Sequence, residues 1–315
     1  MRPLNLKQFL IDLKSFKVLF VVFFLLTYVS FSQSNSSYFI KVLGTVQDGG
    51  IPHLGCKKNC CVNPPKDMYV SSIALINKNT KESYLFDATP DISKQLKYLN
   101  GEINTKLKGI FLTHAHIGHY SGLMYLGREA LNSKNVPVYA MPRMKIFLET
   151  NAPWNQLLSL NNISVRQMSS NSKFSLAENI IIEPFEVPHR DEFSETVGYK
   201  IYGPKKTALF IPDIDKWHKW DKSIINEIKN VDYALIDATF FDSKEINYRD
   251  IKEIPHPFVI ESMELFDSMN DRDKNKILFI HLNHTNPLLD ENSMEYKTVI
   301  HKGYRIAKTG MELIL

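Results

Sequence analysis

The chain has 315 residues, with 38 Lys and Arg against 34 Asp and Glu (net +4), 44% hydrophobic residues, and only 13 Gly and 15 Pro. That balance excludes a disordered, collagen-like or low-complexity chain, and the length gives room for a sizeable core. The small basic excess hints at an acidic partner, nucleic acid or anionic lipid, until its position along the chain is read.

Arg2, Lys7, Lys14 and Lys17, with Asp12 as the one acid, open the chain, and residues 18–31 are uncharged and apolar at all but Thr27 and Ser30. A spanning helix needs about 20 apolar residues. This run is shorter and ends in Ser30-Phe31-Ser32, a small-x-small exit. Residues 1–32 are therefore expected to be a signal peptide, with an uncleaved anchor as the alternative. Residues 33–315 would then be exported, periplasmic or secreted, without stable membrane insertion once the signal is cleaved. Without the leader, 34 bases face 33 acids, a net +1. Bulk charge then indicates no nucleic-acid partner, and oligomeric state is not encoded in any visible pattern.

No repeat, charge run or linker divides residues 38–315, so one domain is expected. β-Branched and aromatic runs ending at Gly, Pro, Asp or Asn predict strands at 38–46, 70–77, 83–87, 109–113, 136–140, 180–187, 196–203, 207–212, 233–237 and 276–281. Between them, apolar spacings of three and four predict helices at 89–100, with Thr89 as cap and Pro90 in the first turn, and at 119–131, 216–230 and 257–269. Paired strands followed by helices in both halves imply two helix-covered sheets, an α/β architecture.

The densest chemical signal is Thr113-His114-Ala115-His116-Ile117-Gly118-His119, directly after the strand at 109–113. Histidines two apart on an extended loop point the same way, so His114 and His116 can grip one ion, while His119 on the incoming helix faces a neighbouring one. Neutral imidazole is a common ligand for zinc, iron and manganese. Three ordinary surface histidines are the plainer reading, disfavoured because the chain has only ten His. Asp87, His189, Asp213 and His281 each end or closely follow a strand; singly each reads as a turn residue, together as an ordered ligand set.

On these residues the chain resembles the metallo-β-lactamase superfamily across nearly all of 38–315. The resemblance implies an αββα sandwich with metals at one edge of its two sheets. It further implies a first ion on His114, His116 and His189, and a second on His119 and His281. Asp213 would bridge them and serve catalysis with His119, and Asp87 and Asp237 would support the ligands. The superfamily motif is HxHxDH, whereas Gly118 stands where its aspartate belongs. A tighter first site, or a single-metal enzyme, is therefore expected, unless water, Asp215 or Asp237 completes the second. The flanking Val42-Leu43-Gly44-Thr45, Gly49-Gly50-Ile51-Pro52, Pro188-His189-Arg190-Asp191 and His281-Leu282-Asn283-His284-Thr285-Asn286-Pro287 are similar to the B-protein family of pyrroloquinoline quinone biosynthesis and to the phosphonate-operon cyclic phosphodiesterases.

Cys56, Cys60 and Cys61 are the three cysteines. An odd number suits a structural zinc, which needs four ligands, better than a disulfide. Similarity to the phosphodiesterases implies His284 as the fourth ligand, with His53 as a local competitor. The expectation is a metallohydrolase using zinc (one or two catalytic ions, with manganese or iron as alternatives, and one structural zinc) to direct metal-bound hydroxide onto an ester-like bond of a small molecule: phosphodiester, lactone, thioester or amide. The alternatives are an iron- and oxygen-dependent oxidoreductase and a non-catalytic metal binder. Residues 141–160, with Trp154, read as a packed helix pair before a pocket wall, and Lys216-Trp217-His218-Lys219-Trp220 as an amphipathic surface helix before a polyanion site.

Overall fold

The structure is a computed structural model that describes residues 36–246 and 253–315; the leader expected over 1–32 lies outside them. Among the described residues, fourteen strands form two seven-stranded mixed sheets, ordered β14-β1-β2-β3-β4-β5-β6 and β13-β12-β11-β10-β9-β8-β7. The strands are β1 (Tyr38–Gly44), β2 (Ser72–Asn77), β3 (Glu82–Phe86), β4 (Lys106–Phe111), β5 (Val136–Ala140), β6 (Ile163–Gln167), β7 (Phe174–Ala177), β8 (Ile180–Glu186), β9 (Val197–Tyr202), β10 (Thr207–Ile211), β11 (Tyr233–Asp237), β12 (Ile277–Ile280), β13 (Arg305–Ile306) and β14 (Glu312–Ile314). In the first sheet β1–β2–β3 run antiparallel and β3–β4–β5–β6 parallel. The second repeats the scheme, β7 to β10 antiparallel and β10 to β13 parallel.

Both faces of the central strands are buried, which is why they read as continuous apolar runs. Ile40, Val42, Ile73, Leu75, Phe86 and Phe111 meet Tyr199, Phe210, Leu235 and Leu278 between the sheets. The alternate residues turn outward, Ala74, Leu85 and Ile110 toward helices of one outer layer, Leu209, Ile236 and Phe279 toward those of the other. This is the expected αββα sandwich.

All ten expected strands are present. β6, β7, β13 and β14 were not expected: they are short, and β6 carries the polar Ser164, Arg166 and Gln167. Three of the four helices are shorter than the periodicity implies. The first begins at Ile92, runs to Lys97 and continues as a π-helical turn over Tyr98–Glu102, so it starts later than expected but keeps its length, and Thr89 accepts from the Asp91 amide and donates to Gln95. Residues 119–131 yield only a helical turn (Ile117–Tyr120) and a 3-10 turn (Ser121–Leu126). Gly122 sits so close to the Thr89 carbonyl that a Cβ there would lie 2.1 Å from its oxygen, and this contact sets the local path. The segments at 216–230 and 257–269 reduce to Trp217–Lys219 with Ile224–Lys229, and to Val259–Leu265.

Candidate metal centre

The ligand-type side chains converge because the strands of both sheets end at one edge. β3 delivers Asp87, β4 leads to Thr113, His114 and His116, and the turn Ile117–Tyr120 carries His119. From the other sheet come His189 after β8, Asp213 after β10, Asp237 at the end of β11 and His281 after β12. Asp87 and His281 turn off their strands with φ of +71° and +65°, a costly backbone region for non-glycine residues that recurs at functional sites.

One ligand atom each from His114, His116, His189 and Asp213 fall within 4.8 Å of one another. His114 Nε2 is 2.8 Å from His116 Nδ1 and 3.3 Å from Asp213 Oδ2, and His189 Nε2 is 3.3 Å from Asp213 Oδ1. The His189 ring and Asp213 are buried, whereas the His116 side chain is 13% exposed, so the set opens on that side, beside Glu192. Both ring nitrogens of His189 and Oδ1 of Asp213 are buried without a hydrogen-bond partner; their mutual approach lacks the geometry of one. Orphaned buried polar atoms are costly, and a shared cation satisfies all of them. Burial holds His114 well below its ordinary pKa and His189 down to about 4. Both are therefore neutral imidazoles at pH 7, the form that ligates.

A second set, Asp48, His119, Asp213 and His281, shares Asp213. Behind it stand two matching supports. Asp87 accepts from the Thr113 amide (2.8 Å) and hydroxyl and lies 2.7 Å from His119 Nδ1. Asp237 accepts from the Thr239 amide (2.9 Å) and hydroxyl, and that hydroxyl lies 2.9 Å from His281 Nδ1. Each imidazole is thus oriented through Nδ1, leaving Nε2 for the centre. Asp237 Oδ2 is also 2.8 Å from His256 Nδ1, which sits 3.1 Å from Asp213 Oδ1. Burial opposes charge throughout. Even so, Asp48 and Asp87 hold His119 well above its usual pKa, Asp237 and Asp213 push His256 up to about 10, and the imidazoles hold Asp213 well below the carboxylate range. Protons on His119 and His256 balance these carboxylates, as a divalent cation would.

The structure brings together every expected catalytic ligand. Asp215 is not among them: its carboxylate is held by Lys219 (2.7 Å) and the Lys216 amide. Asp237 also offers a ligand oxygen within 4.8 Å of ligand atoms on Asp213, His256 and His281, while the carboxylate in the set with His119 is Asp48. Sequence reading singled out neither Asp48 nor His256. Asp48 had a usable signal, since it too follows a strand, but Gln47-Asp48-Gly49-Gly50 reads as a turn; His256 lies between two prolines with no periodic context.

Cys56, Cys61 and His284 form a separate group. Cys60 is not within 4.8 Å of every member of that group, but its Sγ lies 3.9 Å from that of Cys61 and it lines the same cleft as His284. All three cysteines are free thiols. His53, rather than joining, stacks on His284 at 4.3 Å between ring centroids. Trp217 and Trp220 are buried, their ring N–H groups donating to Ser262 and the Glu186 carbonyl, and Lys216 and Lys219 pair with Glu261 and Asp215. That segment is an anchored turn rather than an amphipathic helix. Trp154 packs on Tyr120 and Phe147, as core.

A family model described as the beta-lactamase superfamily domain matches residues 82–282. The coenzyme PQQ synthesis protein B of Acinetobacter baylyi is 26% identical over 307 residues, covering 86% of this chain and 98% of that protein. That of Methylococcus capsulatus is 26% identical over 313 residues, covering 88% and 99%. Among solved structures, Zn(2+)-bound PqqB from Methylobacterium extorquens superposes with a TM-score of 0.73 at 21% identity, covering 88% of this chain and all of that one. A diphosphatase of the PhnP family gives 0.64 at 20%, covering 88% and 97%.

Proposed function

Since the chain belongs to the beta-lactamase superfamily, we propose that it is a metal-dependent hydrolase acting on an ester-like bond of a small molecule. The observation that carries this reading is the set His114, His116, His189 and Asp213, with neutral imidazoles and buried, unpartnered atoms on His189 and Asp213 facing one point. His114, His116, His189 and Asp213 would hold a divalent ion there, and it would supply Lewis acidity and the means to ionise water near pH 7. His114, His189 and Asp213 hold from the buried side, and His116 leaves the approach open. Asp213, kept ionised by the surrounding imidazoles, orients water. His256, hydrogen-bonded to Asp237 and 3.1 Å from Asp213 Oδ1, is a cationic group beside the same point.

The test is native metal analysis followed by turnover of phosphodiesters, lactones, thioesters and amides, with the phosphoester first because a diphosphatase shares the fold. His116→Ala is expected to lower kcat/KM by at least about 100-fold; unchanged turnover ends the hydrolase reading. The resemblance to the quinone-biosynthesis B proteins implies one second reading, an iron- and oxygen-dependent oxidation. Iron in the native protein with oxygen uptake on turnover would replace hydrolysis by it.

A further inference from the structure

Gly118 leaves the second ligand set without the aspartate of its own motif, yet the volume of that side chain is not open. A Cβ on Gly118 would lie 2.4 Å from Oδ1 and 2.7 Å from Cα of Asp48. Another carboxylate, from 70 residues earlier in the chain, already stands in that space. Asp48 Oδ1 is 2.9 Å from His119 Nε2 and 3.2 Å from His281 Nε2, and Asp213 Oδ2 is 3.6 and 3.8 Å from the same nitrogens. Glycine at 118 and aspartate at 48 are thus two halves of one exchange.

The exchange changes what holds the ligand. An aspartate at 118 would ride on the turn Ile117–Tyr120, whereas Asp48 rides on the segment that carries the thiols. The His53 ring packs on the backbone next to Asp48, since a Cβ on Gly49 would lie 2.4 Å from it. His53 also donates its amide to Cys61 Sγ (3.3 Å), accepts from the Cys56 amide (3.1 Å) and stacks on His284. His281, the other ligand in contact with Asp48, lies three residues before His284. Leu282 between them pairs with both Thr45 and Gln47. Both ligands therefore lead within a few residues into the group Cys56, Cys61 and His284.

We propose that Asp48 is the carboxylate ligand of a second catalytic ion, moved off position 118, and that metal at Cys56, Cys61 and His284 holds it in place. This rests on the hydrolase reading for the role of the second ion, not for its existence. The experiment counts zinc per chain at buffered free zinc, with thermal unfolding as the check on folding. Asp48→Gly is expected to hold one ion fewer than wild type, and Asp48→Gly with Gly118→Asp to regain it. Replacing Cys56 and Cys61 by Ser should remove the thiol-site ion and weaken the second catalytic ion at least tenfold in the wild-type background. In the exchanged background, where His281 alone still leads to the thiols, it should remove the thiol-site ion and weaken the second catalytic ion less. An unchanged count in Asp48→Gly overturns the ligand assignment, and equal weakening in both backgrounds overturns the coupling. Should the wild type hold all its ions and hydrolyse nothing, the hydrolase reading falls and this inference stands.

Discussion

At the scale of single residues, the centre depends on which nitrogen each imidazole offers. Asp87, fully buried, receives the Thr113 amide and hydroxyl and faces His119 Nδ1 at 2.7 Å. In Asp87→Asn an amide N–H would point at Nδ1, and the ring proton would move to Nε2, the atom that faces Asp48. The second ion should then bind about 10- to 100-fold more weakly, with the first little affected; chelator competition measures both, and equal affinities would refute the orienting role. Glu245 is a separate case. It accepts from the Phe241 amide and the Thr285 hydroxyl beside a cleft it shares with Lys58 and Cys60, and burial pushes its pKa from 4.5 up to about 7. Its folded pKa exceeds the unfolded one, so between these values the folded state holds a proton that the unfolded state has lost. Stability should fall as pH rises through that window. Allowing for its partial exposure, Glu245→Gln should recover about 1–2 kcal/mol above pH 7; denaturant melts at pH 4 and pH 8 decide it, and an identical pH slope in the variant counts against it.

Elements were legible in the sequence to the extent that burial made them periodic. The inter-sheet layer stacks Phe86 on Phe111 (4.9 Å) and Phe111 on Tyr139 (4.4 Å), with Tyr199 edge-on to Phe86 (5.2 Å). Strands carrying such residues announce themselves. Helices were overread because their apolar spacing continues into turns whose ends are set by partners distant in sequence, the Thr89 carbonyl at Gly122 and the buried indoles at 217 and 220. Phe111 lies three residues before His114, and the Tyr199 hydroxyl donates to the Leu112 carbonyl between them. Phe111→Ala should therefore cost about 3–5 kcal/mol and also weaken metal binding, because the strand end that aims His114 and His116 loses its packing. Calorimetry with zinc titration reads both, and full destabilisation at unchanged affinity would show that the strand end is held elsewhere.

At the scale of the molecule, the site is a seam between two similar halves. The first sheet contributes His114, His116 and His119 with the Asp87–Thr113 support; the second contributes His189, Asp213 and His281 with the Asp237–Thr239 support. The histidine motif was legible because three of its members fall within six residues. Asp48 was not, because only the folded chain brings it to the space above Gly118, and periodicity carries no record of such an approach. A ligand set drawn from both sheets makes an ion a cross-link between them, and buried carboxylates balanced by raised histidines are the groups an ion would relieve. Binding to the folded state alone contributes about 4 kcal/mol at a thousandfold excess over Kd, which for a chain of this size is roughly 7 °C in Tm. Stripping with a chelator should lower Tm by that amount and zinc should restore it, in one cooperative transition if both halves depend on the seam. A Tm unmoved by stripping would mean that the interdigitated aromatic layer alone holds the sheets together and that the ligands add only chemistry.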